Sequence, residues 1–241
     1  MARIFITGSA DGLGQLAAGS LIAKGHEVVL HARNSSRTQD AMAKTPGAKK
    51  VLVADLADIG ETMALAGQVN QLGRFDAVIH NAGVYQTSPS AIFAVNTLAP
   101  YLLTALIEKP SRVIYLSSGM HLSGRFSPED FESRNTGYSN SKLHVLMLCK
   151  ALARKWPDVF ANAVDPGWVP TKMGGRAAPD DLGKGYQTQV WLATSNDPNA
   201  KVSGCYFFHQ KQSRYNLEAD SLSLQEQLLE FCRSVTGIEL T

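Results

Sequence analysis

The stretch Ile4-Phe5-Ile6-Thr7-Gly8-Ser9-Ala10-Asp11-Gly12-Leu13-Gly14 decides how the rest of the chain reads. A short apolar run breaks into a glycine-rich turn, and a helical pattern then runs from Gln15 to Lys24 and stops at Gly25. That order is strand, turn, helix. At such a junction a turn with few side chains lets backbone approach a pyrophosphate, while the free N–H groups and positive dipole end of the helix hold the anion. A tight loop that merely needs positive φ has the same letters, so the stretch has to be weighed with its company.

Outward from it, apolar runs recur at helix-sized intervals: Val28-Val29-Leu30, Val51-Leu52-Val53, Ala77-Val78-Ile79, Arg112-Val113-Ile114-Tyr115-Leu116, Ala161-Asn162-Ala163-Val164 and Cys205-Tyr206-Phe207-Phe208. Strands apolar on both faces and separated by helices predict an α/β fold, a doubly wound sheet of seven parallel strands with helices on both faces. No internal repeat, proline-rich linker or change of composition divides residues 1–241, which read as one domain with loops at 119–137 and 168–185 on the substrate side.

Composition narrows the function. With 44% apolar and 18% charged residues among 241, the chain can bury a large core, which excludes disorder and low-complexity scaffolds. Lys plus Arg number 23 against 21 Asp plus Glu, and a charge of +2 is too weak to hold a polyanion, so no nucleic acid partner is expected. Cys149, Cys205 and Cys232 are far apart without CxxC spacing, which fits a reducing cytoplasm. Met1-Ala2-Arg3 leads straight into a strand, so no signal peptide is expected. The uncharged window Gly83 to Ile107 contains Asn96, Thr97, Pro100 and Thr104, which are costly in lipid and predict a helix packed in protein, not a membrane partner. The six histidines show no ligand spacing, and GxSxG, HExxH and GxxxxGK[ST] are absent, so no metal site is expected.

Thr7-Gly8-x-x-x-Gly12-x-Gly14, Asn81-Ala82-Gly83, Asn96, Ser117-Ser118, Tyr138-x-x-x-Lys142 and Pro166-Gly167 follow one another in that order. In this set and over nearly its whole length the chain resembles the short-chain dehydrogenase/reductase family, whose fold is of Rossmann type. Nineteen residues separate Ser118 from Tyr138, and this spacing, with Tyr138-Ser139-Asn140-Ser141-Lys142-Leu143 and Gly204-Cys205-Tyr206-Phe207, is similar to the retinol-dehydrogenase-like branch. Only 14 residues lie between Asn81 and Asn96, so the intervening helix is expected to be short, and His80 stands where the family often has asparagine.

Tyr138 and Lys142, four apart, stack one above the other on a helix, which sets an ammonium near the phenol. A nearby cation favours phenolate, and a depressed phenol pKa is expected. The resemblance implies that Tyr138 protonates a carbonyl oxygen while NADPH delivers hydride to its carbon. It also implies that Ser118 positions that oxygen, that Lys142 holds the nicotinamide ribose, and that Asn96 anchors a water chain. Ser117 ends the same strand and remains open as the reactive serine. Asn96 also reads as a buried helix asparagine that satisfies backbone.

For the cofactor, the resemblance places Thr7, Gly8, Ser9, Asp11, Gly12, Leu13 and Gly14 at the pyrophosphate and Asp55-Leu56 at the adenine. It places Asn81-Ala82-Gly83 at the adenosine ribose, and Pro166-Gly167, Val169 and Thr171 beside the nicotinamide. Asp55 reads equally as a helix N-cap. Some 20 residues past the glycine turn, His31-Ala32-Arg33-Asn34 offers no acid for the ribose hydroxyls, and Arg33 can fork onto a 2′-phosphate, so NADP(H) is expected over NAD(H). The implied protein is a cytoplasmic NADP(H)-dependent carbonyl reductase or alcohol dehydrogenase, acting on small carbonyl or alcohol substrates. The lightly charged helices at Asn96 to Glu108 and Tyr138 to Trp156 suit a homodimer or homotetramer. The rival reading is a catalytically idle dinucleotide-binding redox sensor acting through partner contacts, which has no need of an acid catalyst.

Overall fold

The computed structural model describes residues 1–129 and 133–241. Its elements in chain order are β1 (Arg3–Ile6), α1 (Gly12–Ala23), β2 (Glu27–Ala32), α2 (Thr38–Lys44), β3 (Lys50–Val53), α3 (Ile59–Gln71), β4 (Ala77–His80), α4 (Pro89–Phe93), α5 (Ala99–Leu106), β5 (Arg112–Leu116), α6 (Tyr138–Lys155), β6 (Phe160–Asp165), α7 (Leu182–Thr194), β7 (Cys205–Phe208), β8 (Lys211–Gln212) and α8 (Leu222–Thr236). The strands form one sheet in the order β3-β2-β1-β4-β5-β6-β7-β8, parallel from β3 through β7.

Period-two alternation divides the side chains between two covered faces. Ile4, Ile6, Leu30, Ile79, Ile114 and Val164 share a buried cluster with Ala17 and Leu21 of α1 and Val190 and Leu192 of α7. Their neighbours Phe5, Val29 and Val78 face α3 and α5, while Val113, Tyr115, Ala161 and Ala163 face α6. Burial on both faces is why these runs read as continuously apolar.

An eighth strand corrects the expected seven. Lys211–Gln212 pairs antiparallel with β7 through the turn at His209 and Gln210, both at positive φ, 48° and 62°. A two-residue hairpin of this kind usually advertises itself by Asn-Gly, and His-Gln carries no such signal. Two further boundaries move. Gly119–Ser123, the start of the 119–137 loop, is a turn of 3₁₀ helix, and the end of the 168–185 segment is already the first turn of α7, capped by Asp181.

The short helix expected between Asn81 and Asn96 is α4, five residues entered at Ser88, whose hydroxyl accepts from Ala91 N–H. A π-helical turn, Ala94–Leu98, joins it to α5. The combined helix, Pro89–Leu106, is long and apolar enough to cross a membrane, yet 67% of it is buried inside the fold. The faces of α5 and α6 on which the homo-oligomer expectation rested are covered within the chain. Leu228, Leu229 and Cys232 of α8 pack into the α6 cluster, Tyr101 donates to Ile238 O at 2.6 Å, and Trp156 Nε1 donates to Thr241 O at 2.6 Å.

Candidate active site

The sheet order reverses between β1 and β4, and at their carboxyl ends lies a cleft of about 490 Å³. Its floor is the glycine turn, held from three sides. Thr7 Oγ1 accepts from the N–H groups of Asn81 and Ala82, each at 3.0 Å, and Asn81 Nδ2 donates to the carbonyls of Thr7 and Gly8 at 2.9 and 3.0 Å. His31 Nδ1 accepts from Gly8 N–H at 2.9 Å, leaving Nε2–H for Ala54 O at 3.0 Å. Any side chain at Gly8 would bring Cβ within 2.8 Å of Ala82 Cα, and one at Gly14 would lie 2.7 Å from Gly8 O. Backbone packed this closely is possible only with glycine.

Asp11 occupies the N-cap position of α1 without capping it. Its carboxylate turns away to pair with Arg37 Nη2 and with Lys172 Nζ at 3.0 Å, and the two cations hold its pKa below the usual carboxylate range against the opposing effect of burial. The N–H groups of the first turn of α1 are therefore left without a side-chain cap, the arrangement an anionic ligand requires.

Of the residues expected at the cofactor, Gly8, Asp11, Gly12, Leu13, Arg33, Asp55, Leu56, Asn81, Ala82, Gly83, Tyr138, Lys142, Pro166 and Thr171 line the cleft. Others support it from beneath. The Ser9 hydroxyl is buried between Ile6 O and His31 N–H. Thr7 and Gly14 belong to the lacing just described. Asn34 takes a hydrogen bond from Ser36, Val169 is buried, and Gly167 donates to Asp165 Oδ1 at 2.9 Å. The N-cap of α3 is Asp58, not Asp55.

At the nicotinamide end, β5 and α6 bring the catalytic candidates together. Ser118 lies close enough to the Tyr138 hydroxyl to ease its ionisation, while Ser117 is buried and donates to Lys142 O at 2.8 Å, so the hydroxyl beside the phenol is that of Ser118. Lys142 is 4% exposed, with Nζ donating to Leu116 O at 2.8 Å and lying 5.5 Å from the Tyr138 ring centroid. Asn96, on the π-turn, clamps Val84 in both directions, accepting from its N–H at 2.8 Å and donating to its carbonyl at 3.0 Å. Its amide also donates to Ser141 Oγ at 3.0 Å. A Cβ at Gly83 would lie 3.3 Å from Lys142 Nζ and 3.4 Å from Asn96 Oδ1, so both groups face one small space. Single π-turns recur where a helix must aim one side chain in this way.

The expected depression of the phenol is not present. Burial drives Tyr138 up to about 12, eased by Ser118 and reinforced by Asp165 and Tyr85. The Lys142 ammonium stands over the ring, not at the hydroxyl, and burial lowers its own pKa to about 8. At neutral pH the pair is a phenol with a proton to give and a lysine that is still largely charged.

The 119–137 segment only partly covers this end. Met120 and Leu122 are each 43% exposed beside Ser118. His121 in this loop is fully buried, with Nδ1 on Ser118 O and Nε2 accepting from Asn216 N–H. Phe126 turns inward onto His144, and its N–H donates to Glu218. Asp130, Phe131 and Glu132 of the same loop lie outside the described residues. Sequence reasoning passed over His31, Arg37, Lys172 and Tyr85, which packs edge-on against Tyr138 at 4.8 Å. Of these only Arg37, four residues beyond Arg33 on the same exposed turn, carried a legible signal.

Residues 2–182 match the family model described as short chain dehydrogenase. The chain is 44% identical to an uncharacterised oxidoreductase of Emericella nidulans over 99% of this chain and 98% of that protein. It is 28% identical to mouse retinol dehydrogenase 14, over 98% and 86% respectively. Among solved structures, a putative uncharacterised protein from Mycobacterium paratuberculosis superposes with a TM-score of 0.85 at 23% identity, covering 100% of this chain and 95% of that one. A blue fluorescent protein from a metagenomic library, in complex with NADPH, gives 0.70 at 22%, covering 86% and 95%. The chain belongs to the short-chain dehydrogenase/reductase family. It is an oxidoreductase of Rossmann-like fold with retinol-dehydrogenase-like relatives, and the family's ligand is a nicotinamide dinucleotide.

Proposed function

We propose that this oxidoreductase is an NADP(H)-dependent carbonyl reductase of the cytoplasm, acting on small carbonyl compounds and, in reverse, on the corresponding alcohols. The observation that carries the reading is the Ser118 hydroxyl beside that of Tyr138, with buried Lys142 behind them, at the end of an anion-ready cleft. Arg33 and Arg37 line its adenosine end, where no acid follows β2, and they suit a 2′-phosphate. The three free cysteines support the location.

When bound, the nicotinamide supplies the hydride. Ser118 Oγ and the Tyr138 hydroxyl hold the carbonyl oxygen between them, and Tyr138 gives it a proton as negative charge develops there. A phenol whose pKa stands near 12 is a donor at neutral pH, which favours carbonyl reduction over alcohol oxidation. Lys142, held by Leu116 O, supplies fixed positive charge near the phenolate that results. Asn96 fixes Val84 and hence the wall of the cleft beside Tyr85. The direct test is NADPH consumption by purified protein against a panel of ketones, aldehydes and quinones. Binding of NADPH without turnover of any member would leave the dinucleotide sensor instead.

A further inference from the structure

We infer that Asp165 is a substrate-recognition residue, taking a hydrogen-bond donor, hydroxyl or ammonium, that the carbonyl substrate carries close to its reacting carbon. The inference rests on the reductase reading and narrows its substrate.

Asp165 ends β6 beside the end of β5 and is half-buried. Its Oδ1 accepts from Gly167 N–H at 2.9 Å. Oδ2 lies only 3.0 Å from where a Cβ on Gly119 would stand, and Gly119 follows Ser118 directly. The missing side chain at Gly119 therefore leaves Oδ2 uncovered next to the serine that positions the carbonyl. Among the described residues no cation pairs with this carboxylate. On its inner side stand the Tyr206 hydroxyl, buried and without a hydrogen-bond partner, and the His121 ring, tilted against that of Tyr206 with centroids 4.6 Å apart.

A carboxylate here works against the chemistry. Its charge opposes ionisation of Tyr138 and repels the negative charge that builds on the substrate oxygen. Capping Gly167 does not explain the charge, because an asparagine carbonyl would accept the same bond. A substrate donor on Oδ2 would both offset that charge and satisfy the free acceptor. Around the same strand ends, Tyr85, Met120, Leu122, Trp168 and Met173 are 37% to 59% exposed, an apolar rim fit for the body of the substrate. The class is thus an apolar, for example aryl, ketone or aldehyde bearing a hydroxyl or amine near the carbonyl.

The test uses matched pairs with NADPH: acetophenone against its α-hydroxy and α-ammonium derivatives, and deoxybenzoin against benzoin. The native enzyme should prefer the donor-bearing members by about tenfold or more in kcat/KM, chiefly through KM. Asp165→Asn keeps the Gly167 bond and presents an N–H in place of Oδ2, so the preference should fall to near unity, most sharply for the ammonium compound. Asp165→Ser should behave alike and guards against a folding defect in the first variant. Turnover of ketones without donor preference, or a preference that survives both substitutions, would overturn the inference while leaving the reductase intact. Failure to reduce any carbonyl would instead remove the reductase reading, and this inference with it.

Discussion

Lys142 Nζ lies 5.5 Å from the Tyr138 ring centroid and donates its hydrogen bond to Leu116 O at 2.8 Å. The lysine therefore acts on the phenol through space and not by contact with its hydroxyl. Tyr138→Phe should lower kcat by about 10²–10⁴-fold while NADPH affinity stays within about threefold, since it removes only the proton donor. Lys142→Met should damage both. Because burial sets Lys142 near 8, the reduction rate should decline as pH rises through that value, while the phenol near 12 stays protonated. The kcat profile checks this, and a Tyr138→Phe enzyme that keeps about a tenth of the rate would remove Tyr138 from the acid role.

Cofactor choice should depend on an ion pair as well as on a phosphate ligand. Arg37 is held by Asp11, whose carboxylate would otherwise face the adenosine end with Lys172 as its one remaining partner. Arg33→Ala should weaken NADPH far more than NADH, by about tenfold or more. Arg37→Ala should do the same, and adding Asp11→Asn should recover part of the loss, because the repulsion it unmasks is then gone. Dissociation constants for both cofactors measure this cycle; equal values for NADPH and NADH in the native protein would contradict the assignment.

Of the four buried histidines, His31, His80 and His144 contribute most to the acid sensitivity of the fold, and burial lowers His121 as well. Burial lowers His31 to about 4 and His80 and His144 to about 3. The unfolded groups titrate near 6.5, so below that pH the unfolded chain takes up protons that the folded one refuses. Stability should be level above about 6.5 and then fall by about 1.4 kcal/mol per pH unit for each histidine until pH nears the folded values. Urea midpoints across this range are the measurement, and a flat response from about 6.5 to 5 would contradict the neutral forms. His31 matters doubly, since a proton on Nδ1 would displace Gly8 N–H from its acceptor.

Strands buried on both faces announce themselves by unbroken Val and Ile, and that is why β1 through β7 were legible while β8, two exposed residues after a His-Gln turn, was not. The glycine turn was legible because close backbone contact with Asn81 and Ala82 admits nothing larger at Gly8 and Gly14. Side chains that act across the sheet left no local trace. His31 reaches Gly8 from a neighbouring strand, and Lys172 reaches Asp11 over a separation of 161 residues. The apolar face of α6 showed that a partner was needed but not which one. A surface covered by the chain's own α8 has the same periodicity as one covered by a second subunit.

That distinction between scaffold and site sets the expectation for the segment after Ser118. Phe126 is packed against His144 and α8, so Phe126→Ala should cost roughly 1–3 kcal/mol of stability and leave the ranking of substrates alone. Met120 and Leu122, exposed beside the serine, should behave in the opposite way: alanine there should raise KM for bulky apolar carbonyls, with little change in the urea midpoint. Trp168 is 59% exposed on the opposite loop, and its indole N–H donates to Gly174 O at 2.8 Å, which braces that loop as a wall. Trp168→Ala should therefore change KM together with the mobility of residues 168–175, read by hydrogen exchange. NADPH affinity should be unaffected in Met120→Ala and Leu122→Ala, because the cleft that takes the cofactor is lined by other residues. If Leu122→Ala lost stability and kept its substrate ranking while Phe126→Ala did the reverse, the side of the segment that meets substrate would have to be reassigned.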